Sequence, residues 1–377
     1  MNKNQSAQMI LCADPKAQYV AHSEEIGKAI QGVLDSGWYI LGDEVRLFES
    51  EFAGFVGVRH CIGVANGTDA LALALRACGV RVGDEVITVS HSAVATVAAI
   101  EQIGATPVLC DIEPESRCLN PDLLPGLMTE KTKAVIPVHI YGHPANIEAI
   151  CDFARKNNLM VVEDCAQAHG ARRGNRMVGS FGNVAAFSFY PTKNLGAIGD
   201  GGGIVTDNDE IAENAKILRQ YGWKERYVSS VAGLNSRLDE MQAAILRVKL
   251  RYLERDNIRR NEIADMYDRE FLGTSLGLPH RSTGVTHAMH LYVVEHDSRD
   301  DLRTYLLSKG IQAAVHYPLA IHQQPAYSSR SIRGADKLPV TESVYKRIVS
   351  LPMYPELSDD DVRRVIMGVK SWLEGGE

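Results

Sequence analysis

The sequence is short of several features that mark whole classes of protein. Aromatic side chains supply only 7% of its 377 residues, and no uninterrupted apolar run reaches the ~18 residues that a membrane-spanning helix needs. A chain that crosses the bilayer through helices is therefore excluded. The seven cysteines (12, 61, 78, 110, 118, 151 and 165) are scattered and form no C-x-x-C pair. Isolated thiols inside apolar segments fit buried, reduced side chains better than a disulfide framework or a zinc site, and no metal is expected. There is no basic block either. The net charge of −7 is spread along the chain, which disfavours a nucleic-acid partner, although a few local groups can still hold an anionic ligand. The opening M-N-K-N-Q-S-A-Q-M-I-L-C-A-D-P has only a four-residue apolar patch, too little for a secretory leader. A cytoplasmic chain is expected. No internal repeat or low-complexity tract stands out.

What is present is the make-up of a globular protein, 45% hydrophobic and 23% charged, too long for one small core. From residue 60 to about 210, strand-like runs (60–64, 86–89, 106–111, 134–140 and 159–163) alternate with helical ones (70–78, 93–103 and 147–156). That rhythm predicts an α/β fold with a mainly parallel sheet covered by helices. The character changes near Asp209. A long charged helix at about 238–271 reads as a connector, 311–316 as a strand and 358–372 as a final helix. The expected division is a large domain over 1–250 and a small α+β domain over 251–377.

The most informative stretch is 186–206, A-F-S-F-Y-P-T-K-N-L-G-A-I-G-D-G-G-G-I-V-T. An apolar strand delivers Ser188, Tyr190 and Lys193 into a turn, and a glycine-dense piece leads to a second strand. A lysine held by backbone on both sides suits a catalytic amine, which needs fixed position and partial desolvation to become a neutral nucleophile. A surface lysine in a glycine-rich hairpin is the other reading of this stretch alone. The glycines do not form a dinucleotide fingerprint, because they precede a strand instead of opening a helix. Three further features converge with Lys193. Asn66-Gly67-Thr68 lies where a strand meets a helix start, a place for a phosphate or for an ordinary cap. Asp164 ends a hydrophobic strand, where a buried carboxylate calls for a cationic partner such as a protonated ring nitrogen. His91 follows another strand and offers a flat ring for stacking. A lysine imine, a carboxylate for a pyridinium and a phosphate cup are what pyridoxal 5'-phosphate requires.

The motifs G-W-Y-I-L-G (37–42), V-A-N-G-T-D-A-L (64–71), G-D-E-V-I (83–87), V-E-D-C-A-Q-A-H-G (162–170), F-S-F-Y-P-T-K-N-L-G (187–196) and N-S-R-L-D-E-M-Q-A-A-I-L (235–246) occur in one order along nearly the whole chain. In that order the sequence resembles the DegT/DnrJ/EryC1/StrS nucleotide-sugar aminotransferases, which have the aspartate-aminotransferase (type I) fold. The resemblance implies that Lys193 forms the Schiff base and acts as acid and base, and that Asp164 pairs with the pyridine nitrogen. It places Gln167 near the ring's 3-oxygen and His91 over the ring, with Ser188, Gly67 and Thr68 at the phosphate. It also implies a homodimer in which Asn235 reaches the partner's cofactor. One departure is Ala93, which stands in H-S-A-V-A-T (91–96) where such chains usually carry an aromatic. Substrate contacts are expected from Tyr190 and Tyr221, and from His316, Tyr317, His322 and Tyr327 of the 314–327 stretch. The implied reaction transfers nitrogen from glutamate to carbon 3 of a dTDP-linked 3-keto-6-deoxyhexose, for O-antigen or glycoside biosynthesis. Amination at carbon 4 and a non-catalytic regulator of the same fold are the alternatives. A dehydratase of this fold is disfavoured, because those resemble this chain but carry histidine at the position of Lys193.

Overall fold

A computed structural model describes residues 9–375, and most of the segment on which the leader reading rests lies outside them. Seven strands form the main sheet: β1 (His60–Val64), β2 (Glu85–Val89), β3 (Thr106–Cys110), β4 (Thr132–Val135), β5 (Met160–Asp164), β6 (Val184–Ser188) and β7 (Gly202–Thr206). Their order is β1-β7-β6-β5-β4-β2-β3. Only β7 runs against its neighbours, pairing antiparallel with both β1 and β6, while the remaining pairs are parallel. The C-terminal ends of β1, β2, β5 and β6 therefore open on one edge.

Both faces of this sheet are covered, which explains why its strands read as near-continuous apolar runs. Along β6, Val184 and Ala186 face a core shared with the helix Gly67–Ala77. Ala185 and Phe187 face the opposite core, shared with the helices Asp43–Val56 and Glu240–Leu250. In that second core Phe52 packs edge-on against Phe187 and Phe189, with ring centroids at 5.0 and 5.3 Å. The strand that leads to Lys193 is thus braced from behind by aromatic contacts.

A second body surrounds the strand pair Tyr292–Glu295 and Ile348–Leu351, with the helices Leu253–Phe271, Arg299–Ser308 and Asp359–Gly375. It has its own apolar core, to which Ile10 from the start of the described chain also contributes.

Two sequence expectations are corrected. The run 238–271 is two helices, Glu240–Leu250 and Leu253–Phe271. At the break Tyr252 stacks on His22, with centroids 4.1 Å apart, and donates its hydroxyl to Glu25. Tertiary contacts with the N-terminal helices override local propensity there. The segment 311–316 is not a strand; it makes only single bridges, Ile311 to Ile10 and Ala314 to Ser350. Among the described residues no helix is long and apolar enough to cross a membrane.

Phe52 is fully buried at the centre of the aromatic cluster. Phe52→Ala is expected to lower unfolding stability by about 3–5 kcal/mol, as large-to-small changes in tight cores do. Guanidinium denaturation followed by circular dichroism measures it.

Candidate active site

The edge where β1, β2, β5 and β6 end carries a cavity of about 480 Å³. Its floor is Asp164, the last residue of β5 and nearly fully buried. The Asp164 carboxylate accepts the Thr96 hydroxyl at 2.8 Å and the Ala166 N–H at 3.1 Å. Burial still raises its pKa, opposed by these two donors and by the charge of Lys193. A buried carboxylate with so few donors is suited to a further cation.

Lys193 lines the same cavity. Its N–H closes a turn on Tyr190 O at 2.8 Å, immediately after β6. Burial lowers the Lys193 amine from 10.5 to about 8, and the negative charge of Asp164 works in the opposite sense. At pH 7 about a tenth of such an amine is unprotonated, whereas an ordinary lysine is almost wholly charged.

The other end of the cavity is an anion cradle. The helix Gly67–Ala77 begins on the N-cap Asn66, whose side-chain oxygen accepts the Asp69 N–H at 2.8 Å. Gly67 and Thr68 then occupy the first turn and line the cavity, together with Ser188. Unpaired amides, the positive end of the helix and two hydroxyls favour a phosphate. The approach is very close. A Cβ on Gly67 would lie 2.6 Å from the Ser188 Cβ, and one on Gly202 would lie 2.3 Å from Asn66 O. Glycine at both positions lets the helix start, β6 and β7 meet.

Gln167 is also on the wall. Its oxygen accepts the Tyr141 N–H at 2.7 Å, and its amide donates to the Tyr317 hydroxyl at 3.0 Å. Tyr317 thus reaches the site edge, and half-exposed Tyr190 lines the mouth. These groups fit the phosphate, pyridinium nitrogen and aldehyde of pyridoxal phosphate. Amide donors, a buried carboxylate and a depressed amine are spaced around one cavity, each with the charge the opposing group demands.

Other expected residues are placed elsewhere. His91 is buried off the cavity wall, with its Nε2 at 3.0 Å from the Tyr141 hydroxyl. Its ring meets Tyr141 edge-on at 87°. Ser92 and Ala93 line the cavity instead, so the expected stacking of His91 over the ring is corrected. His316 turns its Nδ1 to the Ser350 hydroxyl at 2.9 Å. His322 is held between the Ser90 hydroxyl at 2.8 Å and Glu342 at 3.2 Å. Tyr327 packs with Val97, Leu109, Ile321 and Leu338 in an apolar cluster, so it is a core residue and not a substrate contact. Tyr221 and Asn235 are exposed and lie outside this cavity. Sequence reasoning passed over Thr96 and Tyr141. Thr96 sat in a quoted motif, but nothing in the chain pairs it with a carboxylate 68 residues away.

A depressed lysine facing a buried carboxylate, with an anion cradle opposite, at the open edge of an α/β sheet of this topology, defines an enzyme of the aminotransferase class. The chain belongs to the DegT/DnrJ/EryC1/StrS aminotransferase family, whose sequence model matches residues 20–370. It is 44% identical over 362 residues to the dTDP-3-amino-3,4,6-trideoxy-alpha-D-glucose transaminase of Streptomyces venezuelae, covering 96% of this chain and 95% of that protein. Its fold is similar to the crystal structure of S. venezuelae DesV, with a TM-score of 0.95, 43% identity and coverage of 98% and 99% of the two chains. NtdA from Bacillus subtilis, solved with bound cofactor PMP, is similar at 28% identity and a TM-score of 0.91, covering 99% of this chain and 87% of that one.

In cofactor-free protein, competitive acylation of Lys193 should titrate with a midpoint near about 8, against 10.5 for an ordinary lysine. Asp164→Asn removes a charge that favours the protonated amine, so the midpoint should fall further. Mass-spectrometric mapping of the labelled peptide reads both.

Proposed function

We propose that this protein transfers nitrogen from glutamate to the 3-keto carbon of a dTDP-linked 3-keto-6-deoxyhexose, using pyridoxal phosphate. The product is the dTDP-3-amino-3,6-dideoxyhexose, a building block for cell-surface polysaccharide or glycosides. The observation that carries the transaminase reading is the electrostatic coupling of Lys193 and Asp164 in the wall of one cavity that Gly67, Thr68 and Ser188 also line. The sugar class is supported by the dTDP-3-amino sugar named for the S. venezuelae relative.

When bound, the cofactor carries nitrogen between the two substrates and withdraws electrons from the carbon that loses a proton. The chain's own groups do the rest. Gly67, Thr68 and Ser188 would hold the phosphate, and Asp164, braced by Thr96, would keep the ring nitrogen protonated. Gln167, fixed between Tyr141 and Tyr317, would lie near the ring's 3-oxygen. Lys193 anchors the cofactor at rest. With the cofactor bound, the neutral amine of Lys193 would be the base that takes the α-proton of the amino donor and the acid that gives it back. Half-exposed Tyr190 stands at the mouth for the sugar.

We further propose a homodimer with shared active sites. Exposed Trp38, Tyr39, Ile40 and Ile198 gather around the start of the helix Glu240–Leu250, where Ile40 bridges Asp239 and the Ile198 N–H donates to Gln242. An exposed apolar group of this kind is suited to a second copy, and exposed Asn235 lies beside it in sequence. The division at 250/251 is likewise a proposal, supported by the core that Tyr292 and Val294 share with the helices Leu253–Phe271 and Asp359–Gly375.

Three results test these readings. Purified protein with added pyridoxal phosphate should turn yellow, and Lys193→Ala should lose both the colour and all measurable glutamate-dependent amination. Paired assays on 3-keto and 4-keto dTDP-hexoses should show turnover of the 3-keto sugar; exclusive turnover of the 4-keto sugar reverses the regiochemistry. Sedimentation equilibrium should return twice the chain mass of 41.4 kDa, and a monomer at working concentration contradicts the shared site.

A further inference from the structure

Lys193 is followed by Asn194, which is buried, lies off the cavity wall and is not used by the mechanism above. Its side chain is held at three points. The amide nitrogen donates to Ala288 O and to the Asn257 side-chain oxygen, both at 2.8 Å. The amide oxygen lies 3.1 Å from His290 Nδ1. The polarity is dictated by the surroundings. Asn257 uses its own nitrogen to donate to His169 O at 2.8 Å, so its oxygen must face Asn194. With both donors of Asn194 committed, its oxygen accepts, and His290 carries its proton on Nδ1.

The segment that Asn194 grips is itself strapped down. Asn261 donates to His287 O at 2.9 Å, and Arg260 donates to Met353 O at 3.0 Å while also lying near Met289 O and His290 O. On the other side the Ala288 and His290 N–H groups donate to Gly142 O and Tyr141 O, at 2.9 and 3.0 Å. Tyr141 in turn donates its own N–H to Gln167. A single strap, residues 287–290, therefore links the turn carrying Lys193 to the side chain of Gln167. Lys249 completes the clamp from below by donating to Gly196 O at 2.7 Å.

We propose that Asn194 is a positioning residue for Lys193: by tying the turn to the 287–290 strap, it fixes where the amine can reach over the cavity. A long flexible side chain gains precision only from its anchored Cα. Lys193 has the Tyr190 turn on one side and the Asn194 anchor on the other. The inference rests on the transaminase reading for its kinetic consequence, but not for its structural one.

The experiment compares wild type, Asn194→Ala, Asn194→Leu and His290→Ala. Asn194→Ala should lower kcat by roughly 10–100-fold, the scale of a misplaced reacting group, with KM for glutamate and keto sugar within about twofold. In cofactor-free protein, the acylation midpoint of Lys193 should rise from about 8 toward the ordinary 10.5, because a loosened turn lets the amine reach water. Asn194→Leu fills the same space without the hydrogen bonds, so it should remain as slow as Asn194→Ala. His290→Ala, which removes one bond of three, should shift both readouts less and in the same direction. The proposal is overturned if Asn194→Ala keeps kcat within about threefold and leaves the midpoint unmoved, or if Asn194→Leu restores wild-type behaviour. A lowered melting temperature with an unmoved midpoint and kcat marks a purely structural role and overturns it too. Should wild type show no amination, the transaminase reading falls, and the labelling midpoints decide on Asn194 by the same outcomes.

Discussion

A carboxylate buried at the end of a strand is expensive unless a cation completes it, and Asp164 is such a group. The parallel sheet carries it to the open edge, and apolar residues on both faces keep water away from its stem. Thr96 and the Ala166 amide supply two hydrogen bonds, too few for a charge that could accept more. Everything else at the site is arranged with respect to that unmet demand. Lys193, in the wall of the same cavity, contributes positive charge and loses part of its own proton affinity to burial. One desolvated charge thus sets the polarity of the whole cavity.

Much of this was legible in the sequence because it rests on local chemistry. The strand preceding Asp164, the turn preceding the helix Gly67–Ala77, and the strand–turn–glycine piece around Lys193 each have a short-range signal. The sheet's rhythm was readable for the same reason, and the helix Ile147–Lys156 was placed to the residue. What failed depended on contacts distant in sequence. The break at Tyr252 comes from His22 and Glu25. The resemblance of the 314–327 stretch offers Tyr327 as a substrate contact, yet folding pairs it with Val97 and Leu109. His91 was given a stacking role by its place after a strand. Its Nε2 lies 3.0 Å from the hydroxyl of Tyr141, 50 residues on, and the ring does not line the cavity.

The cavity is also a meeting place of two bodies. Tyr317 reaches Gln167 from the second body, and Asn194 reaches back into it through Ala288 and His290. Residues that bind and residues that brace are therefore interleaved along the chain. The polar side chains of the helix Leu253–Phe271 belong to the site's support although none touches its space. Arg260 and Asn257 are buried or half-buried on that helix and donate to backbone carbonyls of neighbouring segments, while the Asn257 oxygen accepts from Asn194. That is an unusual use for one face of a helix whose other face is strongly charged.

The contact between Gly67 and Ser188 has a consequence for the history of such a chain. A Cβ at 67 would lie 2.6 Å from the Cβ of 188 and 3.2 Å from its Cα, so any side chain at 67 pushes β6 away from the helix. Trimming Ser188 to glycine would not make room, because its Cα stays in the way. The constraint is therefore one-sided: position 67 is closed to every side chain, whatever stands 121 residues on.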